Sequence, residues 1–311
     1  MSDASGKRSP LTVWIISDGK PGHVNQSLGL AEALARATSA VIHTIPALAA
    51  WRAWLALLLK RFPGNPLPKP DLIVGAGHAT HPTLLAIRRA RGGRAVVLMK
   101  PSLPRGWFDL CILPRHDAIT ADAHTLVTEG ALNRIHPARF RDPSHGLLLI
   151  GGTSAHFDWD GDAMQVQLES ILSRTPDMHW ILTTSRRTPP DFLAHLPSFP
   201  NLTILPHTAT SPDWLPEQLA RCGTAWVTPD SASMVFEALT AGADVGVFDL
   251  PVNPKSRVAR AIVQLADEQR ITRFVNWCAQ GTLYPNLQPL AEADRSATWI
   301  LEWLKNDEEA N

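Results

Sequence analysis

The chain has 311 residues, 45% of them hydrophobic and 19% charged. That balance excludes a disordered chain, a collagen-like one and a small disulfide scaffold, and the length is about twice that of a typical single domain. Lys+Arg and Asp+Glu both number 29, so the formal net charge is zero. The basic excess of a protein that grips nucleic acid by its phosphates is missing, and no nucleic-acid partner is expected. Cys111, Cys222 and Cys278 lie far apart with no CxxC, which argues against a disulfide framework. The first ten residues are polar and the longest apolar runs are seven or eight residues, well short of the roughly 18 that span a membrane. A cytoplasmic, reduced protein is expected.

Short β-rich runs alternate with helical segments, the signature of parallel sheets with crossover helices. The first strand is predicted at 11–16, followed by a glycine-containing loop and a helix over 27–37 whose Leu28, Ala31, Leu34 and Ala35 share a face. The segment ALAAWRAWLALLLKRFPG (47–64) sets Trp51, Trp54, Leu55, Leu58 and Phe62 near helical spacing, with Lys60 and Arg61 at its end. A core helix gives this pattern, and so does an interfacial helix making peripheral contact with the inner membrane. Further strands are expected at 40–45, 71–77, 94–99, 109–113 and 125–128. A second series follows at 146–152, 179–184, 201–205, 224–228 and 244–250. Between the two series, 129–146 carries two prolines and little apolar periodicity, the mark of a linker. The expected fold is therefore α/β, with two Rossmann-like domains at 1–140 and 141–311. The last helical stretch, 290–305, is a candidate to pack back onto the first.

Ligands of such sheets bind beyond the carboxyl ends of the strands, so the loops there carry the candidate chemistry. In SDGKPGHVNQ (17–26), Gly19 and Gly22 allow close backbone approach, and His23, Asn25 and Gln26 are chemically rich for a simple turn. The loop is neither a Walker A motif nor GxGxxG. His78 and His81, after the strand at 71–77, are further titratable groups at the same edge. In GGTSAHFDWDGD (151–162), Gly152, Thr153 and Ser154 have the φ freedom, N–H groups and hydroxyls of a phosphate cradle. Asp158, Asp160, Asp162 and Glu169 match the spacing of a calcium loop, but Ala163 replaces its turn glycine. Helix capping accounts for them more simply, and no metal is expected. SRRTP (185–189) places Arg186 and Arg187 at a strand end, where a guanidinium can meet a pyrophosphate; adjacent side chains diverge, so one of the two is expected to do so.

The richest segment is TPDSASMVFEALTAGADVGVFDL (228–250). Pro229, Asp230 and Ser231 form a turn, and a helix is predicted from near Ser233, with Met234 following and Glu237 one turn in. Small residues there bare helix N–H groups to a diphosphate, and Glu237 can accept hydrogen bonds from ribose hydroxyls. The competing reading makes Glu237 the N3 carboxylate of a capping box.

DGKPGHVNQSLGLAEAL, TEGALNRI, SRRTP and DSASMVFEALTAG together resemble the mitochondrial-fission ELM family across roughly 11–250. Its bacterial members are treated as glycosyltransferases of the GT-B type, with two Rossmann-like domains facing each other across a cleft. The resemblance implies a donor domain in which the 228–242 segment holds the nucleotide, with Glu237 on the ribose and Gly152, Thr153 and Ser154 facing the diphosphate. The 17–26 loop sits where glycosyltransferases that complete the lipid-linked peptidoglycan precursor carry a Gly-rich loop ending in His, although this chain lacks their fuller run of glycines. That places His23 as the candidate base, with Gly19, Gly22, Asn25, Gln26 and His78 around the acceptor. The implied function is metal-independent, cofactor-free transfer of a sugar from a nucleotide-sugar donor to a cell-envelope acceptor, a glycan or a lipid-linked one. Plant members recruit a dynamin-type partner in mitochondrial fission, so a non-catalytic adaptor is the alternative, and a GT-B-fold epimerase a third reading. A short-chain epimerase is excluded, because the only tyrosine, Tyr284, is followed four residues on by Gln288 instead of Lys. Asp158 and Asp160 would fit the DxD motif of a GT-A enzyme, but the two-Rossmann layout does not.

Overall fold

The computed structural model describes residues 9–63, 66–115, 120–137, 139–253 and 256–310. The polar start of the chain (1–8) and Gly64, at the end of the 47–64 segment, lie outside the described residues. Two compact units are present: Met1–Arg134 with Glu292–Asn311, and Ile135–Ala291.

The first unit is built from β1 (Leu11–Ser17), α1 (Pro21–Ala37), β2 (Ala40–Pro46), α2 (Ala50–Leu59), β3 (Leu72–Ala76), α3 (His81–Arg91), β4 (Arg94–Leu98), β5 (Leu110–Pro114) and β6 (Thr125–Thr128). Its strands run in the order β2-β1-β3-β4-β5-β6 with every pairing parallel. Strand β1 shows why the runs are continuously apolar: Val13 and Ile15 enter one core layer, Trp14 and Ile16 the opposite one. Both faces of a parallel sheet are covered, so neither alternation partner is polar.

The second unit contains β7 (Asp142–Leu149), α4 (Gly161–Arg174), β8 (His179–Thr183), β9 (Leu202–Ile204), α5 (Trp214–Leu219), β10 (Cys222–Val227), α6 (Ala232–Ala241), β11 (Asp244–Val247), α7 (Arg257–Asp267), β12 (Thr272–Arg273) and α8 (Phe274–Gln280). The order is β12-β11-β10-β7-β8-β9, again all parallel. The sequence shows no strand signal at β12, which is two residues long and polar. Two buried tryptophans are laid over glycines of the neighbouring strand, Trp180 over Gly146 and Trp226 over Gly246. A Cβ at either glycine would stand 2.4 Å from the indole.

The final helix, α9 (Glu292–Ala310), belongs to the first unit. Ala293, Ala297 and Ile300 share a core with Leu30 and Leu34 of α1, and Arg36 pairs with Asp294 at 2.6 Å. The chain passes between units at Arg134 and Ile135, within TEGALNRI. A Cβ at Gly29 of α1 would stand 2.2 Å from the Asn133 carbonyl oxygen, and Arg134 pairs with Glu32 at 2.9 Å. Those two contacts tie 129–134 to α1, while Ile135 joins the core of the second unit.

Helix α2 departs from the core-helix reading. It buries Ala53 and Ala56 and leaves Trp51, Trp54, Leu55, Leu58 and Leu59 exposed. No helix among the described residues is long and apolar enough to cross a membrane.

Candidate functional site

In each unit the chain leaves one strand in one direction and returns on the other side, and this reversal opens a crevice beyond the strand ends. In the first unit the reversal lies between β1 and β3, in the second between β7 and β10. Part of the sequence-predicted set lies at these two places.

At the β1/β3 reversal, Pro21 at N1 starts α1 six residues earlier than predicted, because its fixed φ and missing N–H suit a first turn. His23, Asn25 and Gln26 therefore stand on the first two turns of a helix. The His23 Nδ1 lies 2.8 Å from Asp18 Oδ2, with the Asp18 side chain 5% and the His23 side chain 19% exposed. Asp18 Oδ1 also accepts the Lys20 N–H at 3.2 Å. Burial pushes the Asp18 carboxyl up, but the hydrogen bonds from His23 and the Lys20 N–H, with the charges of both residues, outweigh it and hold it below the usual value. A carboxylate that accepts a hydrogen bond from Nδ1–H keeps the ring proton on that nitrogen and leaves the lone pair on Nε2. Gly77, after β3, carries the ring from below: at φ +83° a Cβ would stand 2.3 Å from the His23 Cε1. Asp18 and Gly77 escaped the sequence reading, although the D-x4-H spacing of Asp18 and His23 was a usable signal.

The other first-unit candidates separate. Gly19 takes φ +77° with open space around it, and its N–H donates to Ser17 Oγ. Gly22 lies within α1. Gln26 Nε2 donates to Met99 Sδ at 3.5 Å. His78 is exposed in a short turn, His78–Thr80. His81 is buried against Phe108, with Nδ1 at 3.3 Å from Ser102 Oγ. Burial, helped by the His78 charge, pushes its pKa down to about 4, so it is neutral at physiological pH.

At the β7/β10 reversal, Gly151, Gly152, Arg187, Thr228 and Asp230 form one cluster. Gly151 N–H donates to Thr228 Oγ1 at 2.7 Å, and Gly152 N–H donates to Asp230 Oδ2 at 3.0 Å. The same oxygen pairs with Arg187 Nη2 at 2.8 Å, the Asp230 side chain being 0% exposed. The glycines are required by close approach: a Cβ on Gly151 would stand 2.3 Å from Asp230 Oδ2, and one on Gly152 would stand 2.0 Å from the Arg187 carbonyl oxygen.

This arrangement changes the expected phosphate cradle. The Gly152 N–H is held by Asp230, and the Thr153 N–H donates to the Arg187 carbonyl at 3.3 Å, so neither is bare. Ser154 Oγ accepts from the His156 and Phe157 N–H groups, each at 3.1 Å, closing a local turn. Asp230 braces the loop from inside instead of facing a ligand, and its Oδ1 is buried with no hydrogen-bond partner among the described residues. Both arginines are exposed, and Arg187 reaches in to Asp230 and the Thr153 carbonyl.

Helix α6 starts at Ala232 with Ser231 as its N-cap, and Ser231 makes no side-chain cap bond. Its first N–H groups therefore receive no cap from Ser231, the condition in which a helix end can accept an anion. N3 is Met234, half-buried on the second core, so Glu237 is a full turn too far along for a capping box. Ser233 is exposed and Glu237 half-buried on the same face. Two acids of the apparent calcium spacing serve the start of α4: Asp160 caps it by accepting the Ala163 N–H at 2.9 Å, and Asp162 sits in its first turn. Among the described residues, no group of three or more His, Cys, Asp or Glu is placed to hold a metal ion.

Two parallel Rossmann-like domains, each with its polar cluster at the strand reversal, define the GT-B fold class. The chain belongs to the mitochondrial fission ELM1 family, whose model matches residues 21–304. An uncharacterised Rickettsia prowazekii protein is 24% identical, over 95% of this chain and 99% of its own length. Two solved structures share the fold. A provisionally assigned UDP-N-acetylglucosamine 2-epimerase of Listeria monocytogenes has a TM-score of 0.64 at 11% identity, over 97% of this chain and 98% of that one. The calicheamicin glycosyltransferase CalG4 has a TM-score of 0.50 at 13% identity, over 96% and 99%.

Proposed function

We propose that this protein is a metal-independent glycosyltransferase that moves a sugar from a nucleoside-diphosphate donor to a cell-envelope hydroxyl acceptor, a glycan or a lipid-linked one, on the cytoplasmic side. The observation that carries the reading is the uncapped amino end of α6 at the β7/β10 reversal, with Glu237 one turn along the same face. The N–H groups of Ala232, Ser233 and Met234 receive the diphosphate, the exposed guanidinium of Arg186 adds charge, and Glu237 accepts from the ribose hydroxyls. Gly152, Thr153, Ser154, Arg187 and Asp230 form the rigid wall that holds this edge in place. In the first unit, His23 is the base for the acceptor, oriented by Asp18.

The transfer balances with these groups. The acceptor O–H gives its proton to His23 Nε2 while its oxygen bonds the anomeric carbon. The bond from that carbon to the diphosphate oxygen breaks, and the leaving group keeps the electron pair. Fixed donors aimed at the growing negative charge lower the barrier without reorganising, the largest contribution available where no cation is required.

The test is calorimetric titration with a panel of nucleoside diphosphates and nucleotide sugars. At least one is expected to bind, and Glu237→Ala is expected to weaken it about tenfold or more with unchanged melting temperature. Absence of binding across the panel overturns the donor site and favours an adaptor. An epimerase would use the same donor seat and is distinguished by conversion of the sugar without an added acceptor.

A further inference from the structure

The face of α2 is inverted relative to an ordinary surface helix. It turns Ala53 and Ala56 inward and presents Trp51, at 66% exposure, and Leu58, at 74%, outward together with Trp54, Leu55 and Leu59. Trp107 extends the patch: it is exposed and meets Trp54 edge to face at 6.5 Å. A groove of about 550 Å³ opens beside it, with Leu57 and Leu85 on its wall and Arg89 at its rim. A contiguous apolar surface of this kind is uncommon on a protein that remains monomeric in water.

Charge identifies what covers it. The chain is neutral as a whole, yet the stretch 47–69 that contains α2 carries four basic residues, Arg52, Lys60, Arg61 and Lys69, and no acid. Arg52, Lys60, Arg61 and Arg89 are exposed around the apolar patch, and Arg52 stacks over Trp51 at 5.1 Å. A second copy docked through the same patch would set these cations against their own equivalents across a two-fold axis. Exposed indole rings, each with a polar N–H, beside exposed leucines and flanking Lys and Arg are the side chains that suit a bilayer's headgroup boundary.

We propose that α2 and Trp107 form a docking face for the anionic surface of a lipid bilayer, the leucines entering the acyl boundary and the cations meeting lipid phosphates. This does not depend on the glycosyltransferase reading, since it involves none of the residues placed at either strand reversal.

Co-sedimentation of the full chain with vesicles tests it. Wild-type protein is expected to bind phosphatidylcholine vesicles containing phosphatidylglycerol, to bind pure phosphatidylcholine much less, and to be released by salt. Trp51→Ser combined with Leu58→Ser should lower the partition coefficient on anionic vesicles about tenfold or more, with unchanged circular dichroism. Arg61→Glu with Arg89→Glu should lower it on anionic vesicles and leave the weak binding to neutral ones unaltered. Three results would overturn the proposal: no binding to anionic vesicles, equal binding to both kinds, or unaltered binding by both double variants. A wild-type dimer that Trp51→Ser/Leu58→Ser converts to monomer would also overturn it, assigning the face to a second copy.

Discussion

Replacing Gly77 by alanine probes the support beneath His23. Gly77 sits at φ +83° and ψ 148°, a region that is essentially glycine's own and costs other residues about 1–3 kcal/mol. The new methyl would also stand 2.3 Å from Cε1 and 2.4 Å from Nδ1 of His23, so the ring must move, adding roughly 1–3 kcal/mol of overpacking. The expected destabilisation is therefore about 2–6 kcal/mol, a large share of a typical domain's stability. Displacing the ring also breaks the 2.8 Å contact with Asp18, so the imidazole resonances should shift. Urea unfolding and NMR of the histidine side chains measure both effects. Gly22→Ala serves as control: it lies in α1 with nothing within 4 Å of its added Cβ and should change stability by less than about 1 kcal/mol, in the favourable direction. A Gly77→Ala protein with wild-type stability and unshifted His23 signals would refute this account of the site.

If His23 is the base, His23→Ala should cut turnover by about 10²-fold or more while donor affinity, read by calorimetry, stays level; retained turnover removes it from the mechanism. His81 offers a pH test. Its pKa is about 4 in the fold against 6.5 unfolded, through burial and the His78 charge, so the unfolded chain binds its proton first as pH falls. The stability held by neutral His81 is complete above pH 6.5 and is lost towards pH 4, on the order of 3 kcal/mol. Comparing urea midpoints of wild type and His81→Gln across that range isolates the effect, which should be missing in the variant. Burial pushes the Cys111 thiol up to about 11 and Cys222 to about 12, while Cys278 is exposed. Ellman's reagent should accordingly titrate one thiol in the native protein and three after denaturation.

The alternation of buried apolar runs with helical spacing determined the α/β class, because a parallel sheet covered on both faces leaves continuous runs such as LIVGA and LCILP in the chain. Local turn chemistry likewise placed candidate loops after β1, β7, β8 and β10, since ligand edges need glycines, hydroxyls and charge in short stretches. What those residues touch was decided only by tertiary structure. Asp230 and Gly152 are 78 positions apart, and no local rule reveals that a buried carboxylate occupies the N–H that the loop would otherwise offer. The same holds for Gly77 under His23, where the demand for glycine comes from a ring on another element. Helix α2 is the sharpest case. Packing decided which of its two faces is covered: Ala53 and Ala56 face inward, which leaves Trp51, Trp54, Leu55, Leu58 and Leu59 outside. Periodicity records that two faces differ, and only the neighbouring elements determine which of them is covered.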